Sequence, residues 1–166
     1  MNLRVGGDAL FHFRQVDLDR DWDTLVAFHR DVFRISYGSD QDFSEATYRT
    51  ILQSRLKQFP DGQMLVLDGG DVAGQVEIWI REHEGRRVGY VSLFYLAPAW
   101  RGQGRGAELL EYAERYVAKH GLEECHLRVS DRNERAMRFY ERYGFVRVGS
   151  ERREHLVWRM MKRLSP

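Results

Sequence analysis

Three glycines, Gly102, Gly104 and Gly106, alternate with Gln103 and Arg105 in the stretch "LAPAWRGQGRGAELL" at residues 96–110. They follow an apolar run that stops at Pro98 and precede a helical pattern. Glycine at a helix start is unfavourable unless the backbone must turn sharply or something must approach it closely. A strand running into glycine-rich backbone and then a helix points several unpaired N–H groups at one spot, where the helix dipole adds partial positive charge. That arrangement binds phosphate. The dipole contributes about 0.3 to 1 kcal/mol when exposed and up to ~2 kcal/mol when partly buried, and Arg101 and Arg105 would add to it, which suits a pyrophosphate. From these six residues alone, a tight turn with no ligand stays open. The spacing rules out two nucleotide motifs. No Lys-Ser or Lys-Thr follows, as a P-loop needs, and the third glycine comes one residue early for G-x-G-x-x-G.

The other residues able to do chemistry carry less. Six histidines are scattered without H-E-x-x-H or other ligand spacing, and no metal site is expected. "DLDRDWD" superficially matches a calcium loop, but Trp22 stands where glycine is needed and Phe28 where glutamate is needed. Asp17, Asp19, Asp21 and Asp23 instead suit the positive end of a helix. Cys125 alternates with apolar neighbours and reads as core.

The elements that must position the glycine turn alternate between strand and helix signals without repeats, which predicts one α/β (α+β) domain over residues 1–166. "ALFHFRQV" reads as a first strand. A helix carrying Leu25, Val26, Phe28, His29, Val32 and Phe33 follows, and "RISYGSDQDF" breaks it. A second helix starts after Ser44 and stops at Pro60, Asp61 and Gly62. "QMLVLDG" and "VAGQVEIWI" form a hairpin about Gly69, Gly70 and Asp71. "VGYVSLFYLA", apolar on both faces, is a central strand ending at Pro98. A helix runs from Ala107 to His120, "ECHLRV" is another strand, "NERAMRFYERY" a short helix closed by Gly144, and "GFVRVG" and "EHLVWRMMKRL" complete the sheet.

A net charge of +1 argues against a nucleic-acid binder that relies on bulk electrostatics. The distribution is lopsided. Residues 1–62 carry 8 basic and 10 acidic side chains, 63–127 carry 7 and 10, and 128–166 carry 11 and 5. A basic last quarter suits a phosphate-bearing ligand, and equally a solvated arginine-rich surface. One cysteine cannot form an intramolecular disulfide, and the start lacks the apolar stretch of a signal peptide, so a reducing cytoplasm is expected. No apolar run approaches the roughly 18 to 20 residues of a membrane span, and no membrane partner is expected.

"LAPAWRGQGRGAELL" closely resembles the acyl-CoA pyrophosphate motif of the GNAT superfamily of N-acyltransferases, R/Q-x-x-G-x-G/A after a strand with a proline at its end. Arg101, Gly104 and Gly106 match it. "NERAMRFYERYGF" resembles the family's second signature through Asn133, Ala136, Tyr140, Gly144 and Phe145. One helix and one strand separate the two motifs, as the family requires, and the resemblance is strongest over residues 72–148. It implies a mixed, mainly antiparallel sheet of six or seven strands flanked by about four helices. That sheet would splay between its fourth and fifth strands, the first ending near Leu96 and the second spanning 124–129, with acetyl-CoA in the cleft.

By the same resemblance, backbone N–H groups of Gln103, Gly104, Arg105, Gly106 and Ala107, beside Arg101 and Gly102, would hold the pyrophosphate. Phe94 and Leu96 would offer strand backbone to the pantetheine arm, the Leu96 N–H facing the thioester carbonyl as an oxyanion donor. Asn133 and Ala136 would border the pantetheine, and Tyr140 would protonate the departing sulfur. The acceptor site would draw on the segment holding Tyr37 and Asp40. Some family members carry a glutamate in the fourth strand. "YVSLFYL" has none, which leaves the base unassigned among Glu77, His83, Asp40, Asp42 and Glu45. A lysine-like amine of pKa about 10.4 is neutral in only about one part in a thousand near pH 7.4 and needs such a base, whereas an α-amine of pKa about 7.7 to 8 scarcely does. The expected function is acetyl transfer from acetyl-CoA to a primary amine of a small molecule or peptide by direct attack, with no metal. The alternative is a silent acyl-CoA-binding sensor. A DNA-binding reading of the basic quarter is disfavoured because sheet strands occupy it, and a homodimer is allowed.

Overall fold

The computed structural model describes residues 10–152 and 155–164. Ala9 and Glu154, the expected first residues of two strands, lie outside the described residues. One seven-stranded sheet is formed by β1 (His12–Gln15), β2 (Gln63–Asp68), β3 (Asp71–His83), β4 (Arg86–Leu96), β5 (Glu124–Ser130), β6 (Val146–Arg152) and β7 (Leu156–Arg163), in the order β1-β2-β3-β4-β5-β7-β6. All pairings are antiparallel except β4 with β5. The helices are α1 (Leu18–Tyr37), α2 (Glu45–Gln58), α3 (Gly106–Lys119) and α4 (Glu134–Arg142).

Local chemistry sets the helix ends. Asp17 caps α1 by accepting from the Asp19 and Arg20 N–H groups, Ser44 caps α2 through Thr47 N–H, and Asn133 caps α4 through Ala136 N–H. The α1 helix continues through Arg34–Tyr37, where the sequence predicts a break, because the stop signal is Gly38, whose left-handed backbone (φ 80°) lets its N–H reach Arg34 O. The extra turn matters: Ser36 O accepts from Ser130 Oγ at 3.0 Å, tying the end of α1 to the end of β5.

The parallel pair is short. Gly89, Tyr90 and Val91 align with Cys125, His126 and Leu127, and then the strands part. On its other edge β4 carries one extra residue, Ser92, between Val91, which pairs with Ile78, and Leu93, which pairs with Glu77. Such a bulge inverts the alternation of the strand. Val91 packs with α3 and α4, yet beyond the bulge it is Phe94 that packs on that side, while Leu93 and Tyr95 pack under α1 and α2.

Beneath α1 and α2 lies a buried polar knot. His29 Nε2 and Glu77 Oε1 are 2.9 Å apart, His29 Nδ1 lies 2.9 Å from Leu25 O, and Glu77 Oε1 also accepts from the Tyr48 hydroxyl at 2.6 Å and Gln75 Nε2 at 2.9 Å. Burial alone would raise the Glu77 pKa. The charge and hydrogen bond of His29, the Tyr48 hydroxyl and the charge of Arg55 outweigh it and hold the carboxyl below its ordinary value of 4.5. A carboxylate with a depressed folded-state pKa adds stability that is full above about pH 4.5 and is lost as the pH falls through the folded value. Glu77→Gln leaves the imidazole without a counter-charge and is expected to cost about 3 to 5 kcal/mol in urea unfolding at neutral pH, with a shallower loss on acidification than wild type. A loss under about 1 kcal/mol would mean that the pair contributes nothing net.

Candidate active site

Where β4 and β5 part, a cavity of about 540 Å³ opens between the end of β4, the glycine turn, α4 and the last turns of α1. Its strand wall can be read from one bond. Ala97 N–H donates to Ala73 O at 2.8 Å, toward β3. Strand amides alternate in direction, so the N–H groups of Phe94 and Leu96 point away from β3 into the opening. Leu96 O, on the same side, accepts from Arg101 Nε at 2.7 Å.

The glycine turn supplies the second wall. Gly102 and Gly104 take left-handed backbone, φ 74° and 73°, and a side chain on Gly104 would meet no protein atom within 4 Å. Only glycine adopts this conformation without strain, and the space above it is open. Gly106 has a different reason: a Cβ there would come within 3.0 Å of the Phe139 ring, so its absence lets α3 and α4 close on each other. Unlike the other three helices, α3 starts without a side-chain cap, its N-cap being Arg105. Glu108 N–H bonds back to Arg105 O at 3.1 Å, while no backbone hydrogen bond to the described residues takes the N–H groups of Gly106 and Ala107, as an anion site requires.

Both turn arginines are engaged by carboxylates. Arg101 NH2 pairs with Asp31 at 2.8 Å, and the guanidinium lies 5.2 Å from the Tyr95 ring centroid. Burial would raise the Asp31 pKa, but hydrogen bonds from Tyr95 and Arg101 hold the carboxyl low. Arg105, with its side chain 10% exposed, bridges Asp68 at 3.2 Å and Glu108 at 2.9 Å and stacks on Phe11 at 3.6 Å. Both residues line the cavity, and their side chains also brace the turn. The cations at its mouth are Arg135 and Arg142, seven residues apart on α4, which the sequence reading passed over. Only the excess charge of residues 128–166 hinted at them.

Asn133, Ala136 and Tyr140 line the same cavity. Tyr140 packs against Phe94, Phe139 and Phe145, burial raises its phenol pKa, and its hydroxyl has no hydrogen-bond partner among the described residues. Gln103 instead sends its amide to Ala99 O, and its side chain and Ala107 do not line the space. The acceptor candidates are dispersed. Tyr37 stacks on His155 at 5.8 Å, Asp40 is paired with Arg30 and Arg34, Glu45 with Arg30, and His83 lies beside His126. Glu77, enclosed by His29, Tyr48 and Gln75, does not reach the cavity. Among the described residues no carboxylate lines it. Cys125 is buried and its thiol is pushed up to about 12, a core residue as expected. No cluster of three or more His, Cys, Asp or Glu able to hold a metal occurs among the described residues, and none of their helices is long and apolar enough to cross a membrane.

Gly104→Val is expected to cost about 1 to 2 kcal/mol of stability through its backbone conformation, while filling the open space and weakening coenzyme A binding at least tenfold, far more than its stability loss implies. Calorimetric titration and melting of the same sample separate the two effects. Unchanged affinity would place the pyrophosphate elsewhere.

Residues 22–145 match the model of the acetyltransferase (GNAT) family. Two relatives are N-alpha-acetyltransferase 30 of Schizosaccharomyces pombe, 30% identical over 64% of this chain and 72% of the relative, and an uncharacterized N-acetyltransferase of Archaeoglobus fulgidus, 31% identical over 72% and 85%. Among solved structures, Ard1 from Thermoplasma volcanium superposes with a TM-score of 0.73 at 16% identity, covering 95% of this chain and 100% of that one. Arabidopsis thaliana Naa50 in complex with the bisubstrate analogue CoA-Ac-MVNAL gives 0.71 at 17%, covering 93% and 99%. These likenesses below 25% identity concern the fold, and the fold carries its opening where the two signature segments of this sequence meet. The chain belongs to the GNAT family of acetyl-CoA-dependent acetyltransferases.

Proposed function

We propose that the protein, acting as a single acyltransferase domain, transfers an acetyl group from acetyl-CoA to a primary amine by direct attack with both substrates bound. The observation that carries this reading is the convergence on one cavity of an uncapped, glycine-entered helix, two outward strand amides and an unpartnered tyrosine hydroxyl. Acetyl-CoA supplies the activated thioester. The first-turn N–H groups from Gln103 to Ala107 hold its pyrophosphate, with Arg135 and Arg142 as neighbouring cations, and Asn133 and Ala136 border the pantetheine arm.

The Leu96 N–H, with the Phe94 N–H on the same strand edge, donates to the carbonyl oxygen as negative charge grows there. As the amine nitrogen forms its bond to the acetyl carbon and the C–S bond breaks, Tyr140 gives its proton to the departing thiolate. The amine's proton goes to water, from which Tyr140 recovers its own. The Tyr140 phenol is protonated near neutral pH, as a donor must be, while burial makes it a weaker acid. With no carboxylate among the described residues of the cavity wall, the acceptor that fits is a weakly basic amine, an α-amine in particular, of which about half is neutral near pH 8 without a base.

The missing carboxylate also favours a second reading, a silent acyl-CoA-binding module. Release of free thiol from acetyl-CoA on an amine panel distinguishes them, because the silent module binds coenzyme A and turns nothing over. For the enzyme, Tyr140→Phe is expected to lower kcat by about 10² to 10⁴-fold, with the acetyl-CoA KM and the melting temperature little changed. Full turnover in this variant would remove Tyr140 from the mechanism and make water the proton donor.

A further inference from the structure

On the sheet face opposite the cavity, four neighbouring strands carry a band of cations and rings. Ile78, Val91, Leu127 and Met160 pack beneath α3 and α4, so by strand alternation Trp79 and Arg81 of β3, Tyr90 of β4, Arg128 of β5 and Arg159 of β7 point the other way. Trp79 and Tyr90 meet edge to face at 5.4 Å. The Arg55 guanidinium, from α2, stacks 3.4 Å from the Trp79 centroid, and those of Arg81 and Arg128 flank the Tyr90 ring at 5.0 and 5.9 Å.

The positive charge of this band is under-compensated. Arg128 and Arg159 stand directly opposite each other on paired strands, a like-charge placement that opposes sheet stability. They share one carboxylate, Glu151, at 3.0 and 3.8 Å. Among the described residues neither Arg55 nor Arg81 has an ion-pair partner within 4 Å, and the Glu77 carboxylate, paired with His29, acts on Arg55 from farther away. Among the described residues Glu151 is the carboxylate paired with this band, and three of its four guanidiniums are spread over aromatic faces that hold them flat.

The band also lies at the opening. Tyr90 is paired with β5 one step before the strands part, and Arg128 is the first β5 residue beyond the last pair. The last turns of α1 and the end of β4 also line the cavity from this side of the sheet. From Tyr90 to Phe94, the nearer of the two outward strand amides, is four strand residues, about 13 Å.

We propose that the acceptor is an anionic amine, one whose own scaffold carries a carboxylate or a phosphate within about 13 Å of the reacting nitrogen, held by Arg81 and Arg128 against the Tyr90 ring. The inference rests on the transferase reading above and narrows its acceptor. Polyamines, which bring only positive charge, are excluded by the same field.

The test measures kcat/KM with acetyl-CoA for amine pairs matched except for charge: alanyl-glutamate against alanyl-glutamine, glucosamine 6-phosphate against glucosamine, and spermidine as the polycation. At least one anionic member is expected to exceed its neutral partner about tenfold or more, and which pair shows the gain distinguishes carboxylate from phosphate. Arg81→Glu and, as a milder change, Arg128→Gln are expected to bring that ratio to one or below. A ratio that survives in both variants, neutral members that match their anionic partners, or spermidine as the best acceptor would each overturn the proposal. Coenzyme A binding without turnover of any amine would instead overturn the transferase reading, and this inference with it.

Discussion

The parting of β4 from β5 is the constraint on which the rest of the molecule depends. Parallel strands normally stay paired along their length, because an unpaired buried amide costs about 1 to 3 kcal/mol. Here pairing stops after three residues, and the bulge at Ser92 turns β4 at that same point. The parted segment from Ser92 to Leu96 keeps one edge bonded to β3 and offers the other to a ligand. The sheet thus opens without loss of rigidity in the strand wall, since β3 still pairs with Leu93 to Leu96.

Several polar ties hold the slot open. Arg101 takes the Leu96 carbonyl and pairs with Asp31, which accepts from Tyr95, so β4, the turn after it and α1 are locked through one guanidinium. On the far side of the turn, Arg105 joins Asp68 and Glu108, and Glu108 receives the Phe11 N–H at 2.8 Å. The strand-five side is fixed by Ser130 on Ser36. Arg101 and Arg105 thus fix the backbone of the glycine turn, and the start of α3 is held in a set position.

Much of this was legible from residue order. The element sequence, the hairpin at Gly69 and Gly70, the glycine turn and the alignment of Asn133, Ala136 and Tyr140 on one cavity follow from periodicity, caps and two motifs. Other features were not. A bulge has no compositional mark when the inserted residue is a serine in a strand that reads well in either register. Arg101 and Arg105 were given to the ligand because sequence shows charge but not direction, and their partners Asp31 and Asp68 lie far away in the chain. Glu77 looked available for the same reason: His29 and Tyr48, which enclose it, come from two different helices. The arginine band across β3, β4, β5 and β7 is assembled from single residues spaced widely along the sequence.

The central claim is that backbone amides, rather than side chains, receive the cofactor. Titration of ¹⁵N-labelled protein with coenzyme A, followed by amide chemical shifts, tests it directly. The account predicts that the largest shifts fall on Gln103 to Ala107, with Phe94 and Leu96 moving along the strand edge, while the band at Arg81 and Tyr90 stays still. Shifts confined to that arginine face, with the turn amides unmoved, would contradict it.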